Sequence, residues 1–254
     1  MKWYFALSQA TAHAYWQHVQ VAVRSAQRNT TLAPHFIYDG DDDERCHWLR
    51  AEGVTIIHAR VPFHDQIVAA KQRNYSSDIA TGAFLRTEIP NLDQSDEVVI
   101  YTDCDVLFLG DPIYKGETIR YFAVGPETDI DDYSVNGMNT GVMFMNLSVL
   151  RRCQTSFRQF ITERLESFAA FDQGAYRIYF NGLWERLTPD FNWKPYWGWN
   201  PHAKILHFHG PKYQDVKQLL AGGRSWWRYE ALYFGNESAY RQYTELFESF
   251  LNLQ

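Results

Sequence analysis

The chain has 254 residues, enough for one large domain or two small ones at about 100–200 residues per domain. With 46% hydrophobic and 21% charged residues it has a globular composition, which excludes a disordered chain. A net charge of -6 with scattered Lys and Arg argues against nucleic-acid binding by bulk electrostatics.

No apolar run approaches the roughly 18 residues that span a bilayer, leaving only peripheral contact with a membrane open. The three cysteines, Cys46, Cys104 and Cys153, are odd in number and far apart, with no Cys-x-x-Cys pair. That argues against a disulfide framework and against a structural zinc site. The N-terminal apolar stretch ends at Leu7, too soon for a signal segment, so the expected setting is the reducing cytoplasm. The unusual number is aromatic: 9 Trp, 16 Tyr and 17 Phe make up 17% of the chain. Such an excess is either core mass or flat surface for stacking on sugars or bases.

Strand and helix patterns alternate from the start. Trp3–Leu7 reads as a first strand, and 13–28 as a helix with Val19, Ala22, Val23 and Ala26 on one face. His35–Tyr38 is a second strand, ended by Asp39-Gly40. The acidic run Asp41–Glu44 falls where a helix should begin and reads as dipole compensation. Val54–His58 and Val98–Tyr101 are further strands, and Val106–Leu109 reads as a fifth. This alternation predicts βαβ units, an α/β fold and a mainly parallel sheet with its functional loops at the strand carboxyl ends.

Farther on, Tyr121–Val124 and Gly141–Asn146 read as buried strands. Ser148 is the expected cap of a helix carrying Leu150, Cys153, Phe157, Ile161 and Leu165. Phe157, Phe160 and Phe168 belong to its core face. The acidic stretch Glu127, Asp129, Asp131 and Asp132 reads as a solvated loop. Residues 172–181 form a shorter helix, and 205–209 a late strand. The last helix spans 236–251, with Tyr240, Tyr243, Phe247 and Phe250 in helical spacing. No linker, repeat or low-complexity tract interrupts the chain, so a single domain is expected.

The glycine signatures of dinucleotide and phosphate loops, the serine-hydrolase elbow and the zincin motif are absent. A phosphate would then need another holder, and a carboxylate-bound divalent ion is the natural one. Asp103-Cys104-Asp105 follows an apolar strand directly. At strand period the two carboxylates share a side, where they repel unless a cation lies between them. Three further patterns accompany it: Asn139-Thr140-Gly141 at the start of a buried strand, Asp172-Gln173 opening a helix, and Leu206-His207-Phe208-His209-Gly210-Pro211-Lys212. Gly210 permits close backbone approach and Lys212 can meet a phosphate. Turn, cap or surface chemistry is the default reading of each of these three patterns taken singly.

In this order, the motifs resemble those of the GT-A glycosyltransferases of family 8, which include glycogenin and the bacterial lipooligosaccharide galactosyltransferases. Phe84-Leu85-Arg86-Thr87-Glu88 resembles the family's arginine-bearing helix, and Asp103-Cys104-Asp105 its DxD motif. The resemblance runs from Tyr15 to about Lys212. It implies a single GT-A, Rossmann-like domain with a mixed, mainly parallel sheet flanked by helices. Residues 1–110 would be a nucleotide-binding half, 111–212 a donor-sugar and acceptor half, and 213–254 a helical C-terminal segment. It further implies Mn²⁺ or Mg²⁺ on Asp103, Asp105 and His207. Tyr15 would stack on the base of a nucleotide sugar, a UDP-hexose. Ser8, Asp103, Asn139, Gly210 and Lys212 would complete the donor site, with Arg86, Asp172 and Gln173 at the reacting sugar. The implied reaction is transfer of the hexose to a hydroxyl of a glycan or other acceptor, with retention. The alternatives are a non-catalytic module that holds a nucleotide sugar or glycan, and a sugar nucleotidyltransferase. The latter would need a basic glycine-rich loop where Ser8-Gln9-Ala10-Thr11 stands. Sugar-stacking surface is expected in the aromatic stretch Phe191–Trp199 and around Trp226-Trp227.

Overall fold

A computed structural model describes residues 1–70, 76–116 and 118–253. β1 (Lys2–Ser8) leads into α1 (Gln9–Asn29), β2 (Ala33–Asp39) into α2 (Glu44–Ala51), and β3 (Thr55–His58) follows. α3 (His64–Ala69), α4 (Ser77–Phe84) and α5 (Ile89–Leu92) precede β4 (Val98–Thr102) and β5 (Val106–Phe108). β6 (Phe122–Pro126) and β7 (Met138–Asn146) come before α6 (Leu147–Arg164) and α7 (Phe171–Phe180). The last elements are β8 (Glu185–Arg186), β9 (Ile205–His207), α8 (Tyr213–Leu220), α9 (Trp227–Gly235) and α10 (Glu237–Leu251).

These elements group into two compact units. Met1–Ala14, Ala33–Thr102 and Lys115–Arg186 form the first, and Tyr15–Leu32, Asp103–Tyr114 and Leu187–Gln254 the second. The first holds a sheet of order β3-β2-β1-β4-β7-β6-β8. All neighbours in it are parallel except β7, which runs antiparallel to β4 and to β6. The sheet is therefore mixed and mainly parallel, as the strand-helix alternation predicts. Its central strands are continuous apolar runs, the pattern of strands covered on both faces. Phe122, Met143 and Met145 share a core with Phe157 and Ile161 of α6 and with Tyr176 and Phe180 of α7. The Phe157 ring lies 4.9 Å from that of Tyr176 and 5.3 Å from that of Phe180. Phe168 is buried in this core and Phe160 packs against it, so these rings are core mass.

Two local details bear on the sequence reading. Asp43 caps α2, accepting from the backbone N–H groups of Arg45 at 2.9 Å and Cys46 at 3.2 Å, so the acidic run does serve a helix start. The cap of α6 is Asn146 and not Ser148. Asn146 Oδ1 accepts from Val149 N–H at 3.3 Å, and Ser148 Oγ donates to the same oxygen at 2.9 Å. β7 runs through to Asn146, so the helix begins directly after the strand and Ser148 falls inside its first turn.

The second unit has its own small ribbon. β5 pairs antiparallel with β9, with Val106 opposite His207 and Phe108 opposite Ile205. β5 thus departs from the large sheet; the turn at Asp103-Cys104-Asp105 separates it from β4. Val21, Leu107, Leu206, Phe208, Tyr243, Phe247 and Phe250 form the core here. His18 is buried in the same unit, its ring 5.1 Å from that of Phe247 and 6.1 Å from that of Phe208.

Burial pushes the His18 imidazole down to about 4; Asp105 opposes this and Lys212 adds to it. Below about pH 6.5 the unfolded chain binds a proton that folded His18 refuses until about pH 4. Stability therefore falls as the pH is lowered through that window, by about 1.4 kcal/mol per unit from this group. Urea unfolding of wild type and His18→Gln across the window should show the steeper loss in the wild type.

Candidate functional site

The second unit draws together polar residues from three places in the chain. Asp103 and Asp105 stand between β4 and β5, His207 ends β9, and Lys212 caps α8. One ligand atom from each of Asp103, Asp105 and His207 lies within 4.8 Å of the others. His207 Nε2 is 3.3 Å from Asp105 Oδ1 and 3.8 Å from Asp103 Oδ2. The pairing of β5 with β9 creates this geometry, and Phe208 N–H closes it by donating to the Asp105 carbonyl at 2.9 Å.

Asp105 is 4% exposed, so its charge must be balanced from within the protein. The Lys212 ammonium pairs with it and also donates to the Phe208 carbonyl at 2.9 Å. Burial alone would raise the Asp105 carboxyl; Lys212 and His207 outweigh it and hold the group well below the usual range. Burial likewise opposes the Lys212 charge, and Asp105 raises its pKa in spite of this. Lys212 is itself fixed by Asp215 Oδ2, which accepts its backbone N–H at 3.0 Å. Gly210 has φ +88°, and a Cβ there would stand 2.8 Å from Leu232 Cδ1. The positive φ is what favours glycine at this turn, since the Leu232 methyl end can shift to admit a Cβ.

Asn192 draws no notice in the sequence. It is fully buried, and its Oδ1 lies 3.0 Å from His207 Nδ1. Asn192 Oδ1 accepts the Nδ1–H and leaves Nε2 facing the carboxylates, as do the hydrogen-bond partners that orient metal-bound histidines. Asn192 sits in the dense stretch Phe191–Trp199, where only the aromatic residues draw notice in the sequence. Trp193 of that stretch packs on the core and donates from Nε1 to the Gly198 carbonyl at 2.8 Å. Trp226 and Trp227 are exposed. Tyr15 is half-buried; burial raises its phenol, with further effects from Lys212, Asp105 and Asp103.

The first unit carries a polar network of its own. Arg86 Nε is 2.8 Å from Asp172 Oδ2, with both side chains buried, and the guanidinium lies 4.2 Å from the Tyr101 ring centre. Gln173 Oε1 accepts from Asn139 Nδ2 at 3.2 Å and from Thr140 N–H at 3.0 Å. Gln173 Nε2 donates to Glu127 Oε1 at 2.9 Å. Glu127 therefore belongs to the network and not to a purely solvated loop, whereas Asp129 and Asp132 cap turns in that loop. Phe171, just before Asp172, has φ +45°, a costly conformation for a large side chain. Ser8 stands elsewhere in the unit. Its hydroxyl donates to the Asp78 carbonyl at 2.7 Å, and it lines a cavity of about 180 Å³ with Asp39, Arg60, His64, Asp78 and Thr81.

Solved structures share this fold. GlyE, a glycosyltransferase of Streptococcus pneumoniae TIGR4, superposes with a TM-score of 0.63 at 17% identity. The match covers 99% of this chain but only 63% of the GlyE chain. LgtC, a galactosyltransferase solved with donor and acceptor sugar analogs, matches with a TM-score of 0.62 at 17% identity, over 91% of this chain and 95% of its own. The chain has the GT-A glycosyltransferase fold. Mouse xyloside xylosyltransferase 1 is a further match, with a TM-score of 0.56 at 15% identity, over 81% of this chain and 96% of its own. At such identities the likeness is one of fold. No protein-family model and no curated protein matches the sequence. Among the described residues, no helix of this GT-A chain is long and apolar enough to cross a membrane.

The Arg86–Asp172 pair makes a stability prediction. Arg86→Ala leaves the Asp172 carboxylate buried beside Tyr176, and should cost about 3–5 kcal/mol. Removing both partners should cost less than the sum of the single losses. Urea unfolding of the two single variants and the double variant measures this coupling.

Proposed function

We propose that the protein is a metal-dependent glycosyltransferase. It moves a hexose from a nucleotide sugar, UDP-glucose or UDP-galactose, to a hydroxyl of a glycan or other acceptor, with retention. The observation that carries this reading is the convergence of Asp103, Asp105 and His207, with Lys212 beside them, in a chain of GT-A fold. Two carboxylates and an imidazole suit Mn²⁺ or Mg²⁺, and the ordered His207 Nε2 is a ready ligand.

When bound, the ion supplies charge neutralisation for a departing nucleoside diphosphate. Lys212 adds a fixed ammonium for the same phosphates, and Gly210 lets backbone approach them. Tyr15 offers its ring to the base, and Ser8 belongs to the donor set. Arg86, Asn139, Asp172 and Gln173 hold and orient the hexose, with their side chains locked by one another and by Glu127. Preorganised partners of this kind contribute through orientation. Cys46, Cys104 and Cys153 form no disulfide, which supports action in the reducing cytoplasm.

Donor turnover with Mn²⁺ tests the assignment. Asp105→Ala should lower UDP-hexose transfer or hydrolysis about a hundredfold or more. Turnover equal to wild type would overturn the metal assignment, and metal-dependent UDP binding without product from any acceptor would instead indicate a binding module. Asn192→Ala should weaken Mn²⁺ binding by about 10–100-fold and leave kcat at saturating Mn²⁺ nearly unchanged, because Asn192 acts through His207. Calorimetric titration with Mn²⁺ beside steady-state kinetics reads both quantities.

A further inference from the structure

The crossover from β2 through α2 to β3 carries a second cluster, which the proposed reaction does not use. Asp42, Cys46 and His58 each offer a ligand atom within 4.8 Å of the others. Asp42 lies in the loop before α2, Cys46 in the first turn of α2, and His58 ends β3. Asp42 and His58 are exposed and Cys46 is fully buried.

The surroundings of His58 decide the chemistry. Its Nδ1 is 2.8 Å from the Gly40 carbonyl, which can only accept, so Nδ1 carries a proton. Its Nε2 is 2.8 Å from Asp42 Oδ1, which as a carboxylate oxygen also only accepts. A ring with an acceptor at each end either carries both protons or turns its Nε2 lone pair toward a cation. A backbone carbonyl on the remote nitrogen is the usual support of a metal-bound histidine. Arg50 Nη2 shares Asp42 Oδ1 at 2.8 Å, which by itself makes an ordinary surface ion network. The Cys46 thiol sets the cluster apart, since sulfur beside imidazole selects a borderline or soft ion over Mg²⁺ or Mn²⁺.

We propose that Asp42, Cys46 and His58 form a zinc site, with water as the fourth ligand, which ties the loop after β2 to the end of β3. The ion enters from the solvent side through Asp42 and His58. Cys46 binds as the thiolate, and its proton leaves to water. No Cys-x-x-Cys spacing marks the site, because its ligands come from a loop, a helix and a strand. The site is independent of glycosyl transfer and of Asp103, Asp105 and His207.

Titration of metal-free protein with Co²⁺ alone, followed by Zn²⁺, tests the proposal. The wild type should show a near-ultraviolet thiolate-to-cobalt band that saturates at a single equivalent and disappears when Zn²⁺ is added. Cys46→Ser should lack the band while retaining Cys104, the thiol between Asp103 and Asp105. His58→Gln, at an exposed position that does not threaten folding, should weaken Co²⁺ binding about tenfold or more. A wild type without the band, a band that persists in Cys46→Ser, or unchanged affinity in His58→Gln would each overturn the site. None of these readouts depends on whether the protein transfers sugar.

Discussion

The chemistry of the second unit depends on the antiparallel pairing of β5 with β9. That register puts His207 opposite Val106, the residue after Asp105, and the bond from Phe208 N–H to the Asp105 carbonyl closes the ladder. A shift of a single residue would turn His207 to the other face of the ribbon. Asp105 would then keep its burial and lose its contact with His207 Nε2. Since an unpaired buried charge costs several kcal/mol, register, Lys212 and Asp105 support one another. The apolar core of Leu107, Leu206, Phe208 and Phe247 holds the ribbon to that register.

The same rule shapes the network of the first unit. Arg86 and Asp172 are both buried and balance each other's charge, with Arg86 also donating to the Ala83 and Thr140 carbonyls, while Gln173 is held from two sides by Asn139 with Thr140 and by Glu127. Such groups keep one arrangement because any other leaves a polar atom unpaired. The left-handed Phe171 places Asp172 and Gln173 at the start of α7, at a local conformational cost.

Much of this was legible in sequence because it is local. The strand–helix alternation follows from periodicities of a few residues, and Asp-x-Asp after an apolar strand needs no partner to be seen. Spacing alone does not choose the cap of α6, because Asn146 and Ser148 are both good capping residues and only the length of β7 decides between them. The role of Asn192 was hidden because it depends on His207, which enters from a different element. Glu127 was hidden in the same way by its contact with Gln173.

The aromatic excess also divides along this line. Phe157, Tyr176 and Phe180 are core rings that helical spacing marks from sequence alone. In the stretch Phe191–Trp199, composition does not distinguish Trp193, which packs inward, from Trp199, which is exposed. By itself the sequence determined most of the elements, though not α3, α4 or β8, together with the mainly parallel sheet and the residue types able to bind a divalent ion, since these rest on near-neighbour spacing. The tertiary structure decided that β5 leaves the sheet to pair with β9, that Lys212 neutralises Asp105, and that Asn192 orients His207. Each of these depends on contacts between distant segments, whose energies come from desolvation and burial and leave no periodic trace in the chain.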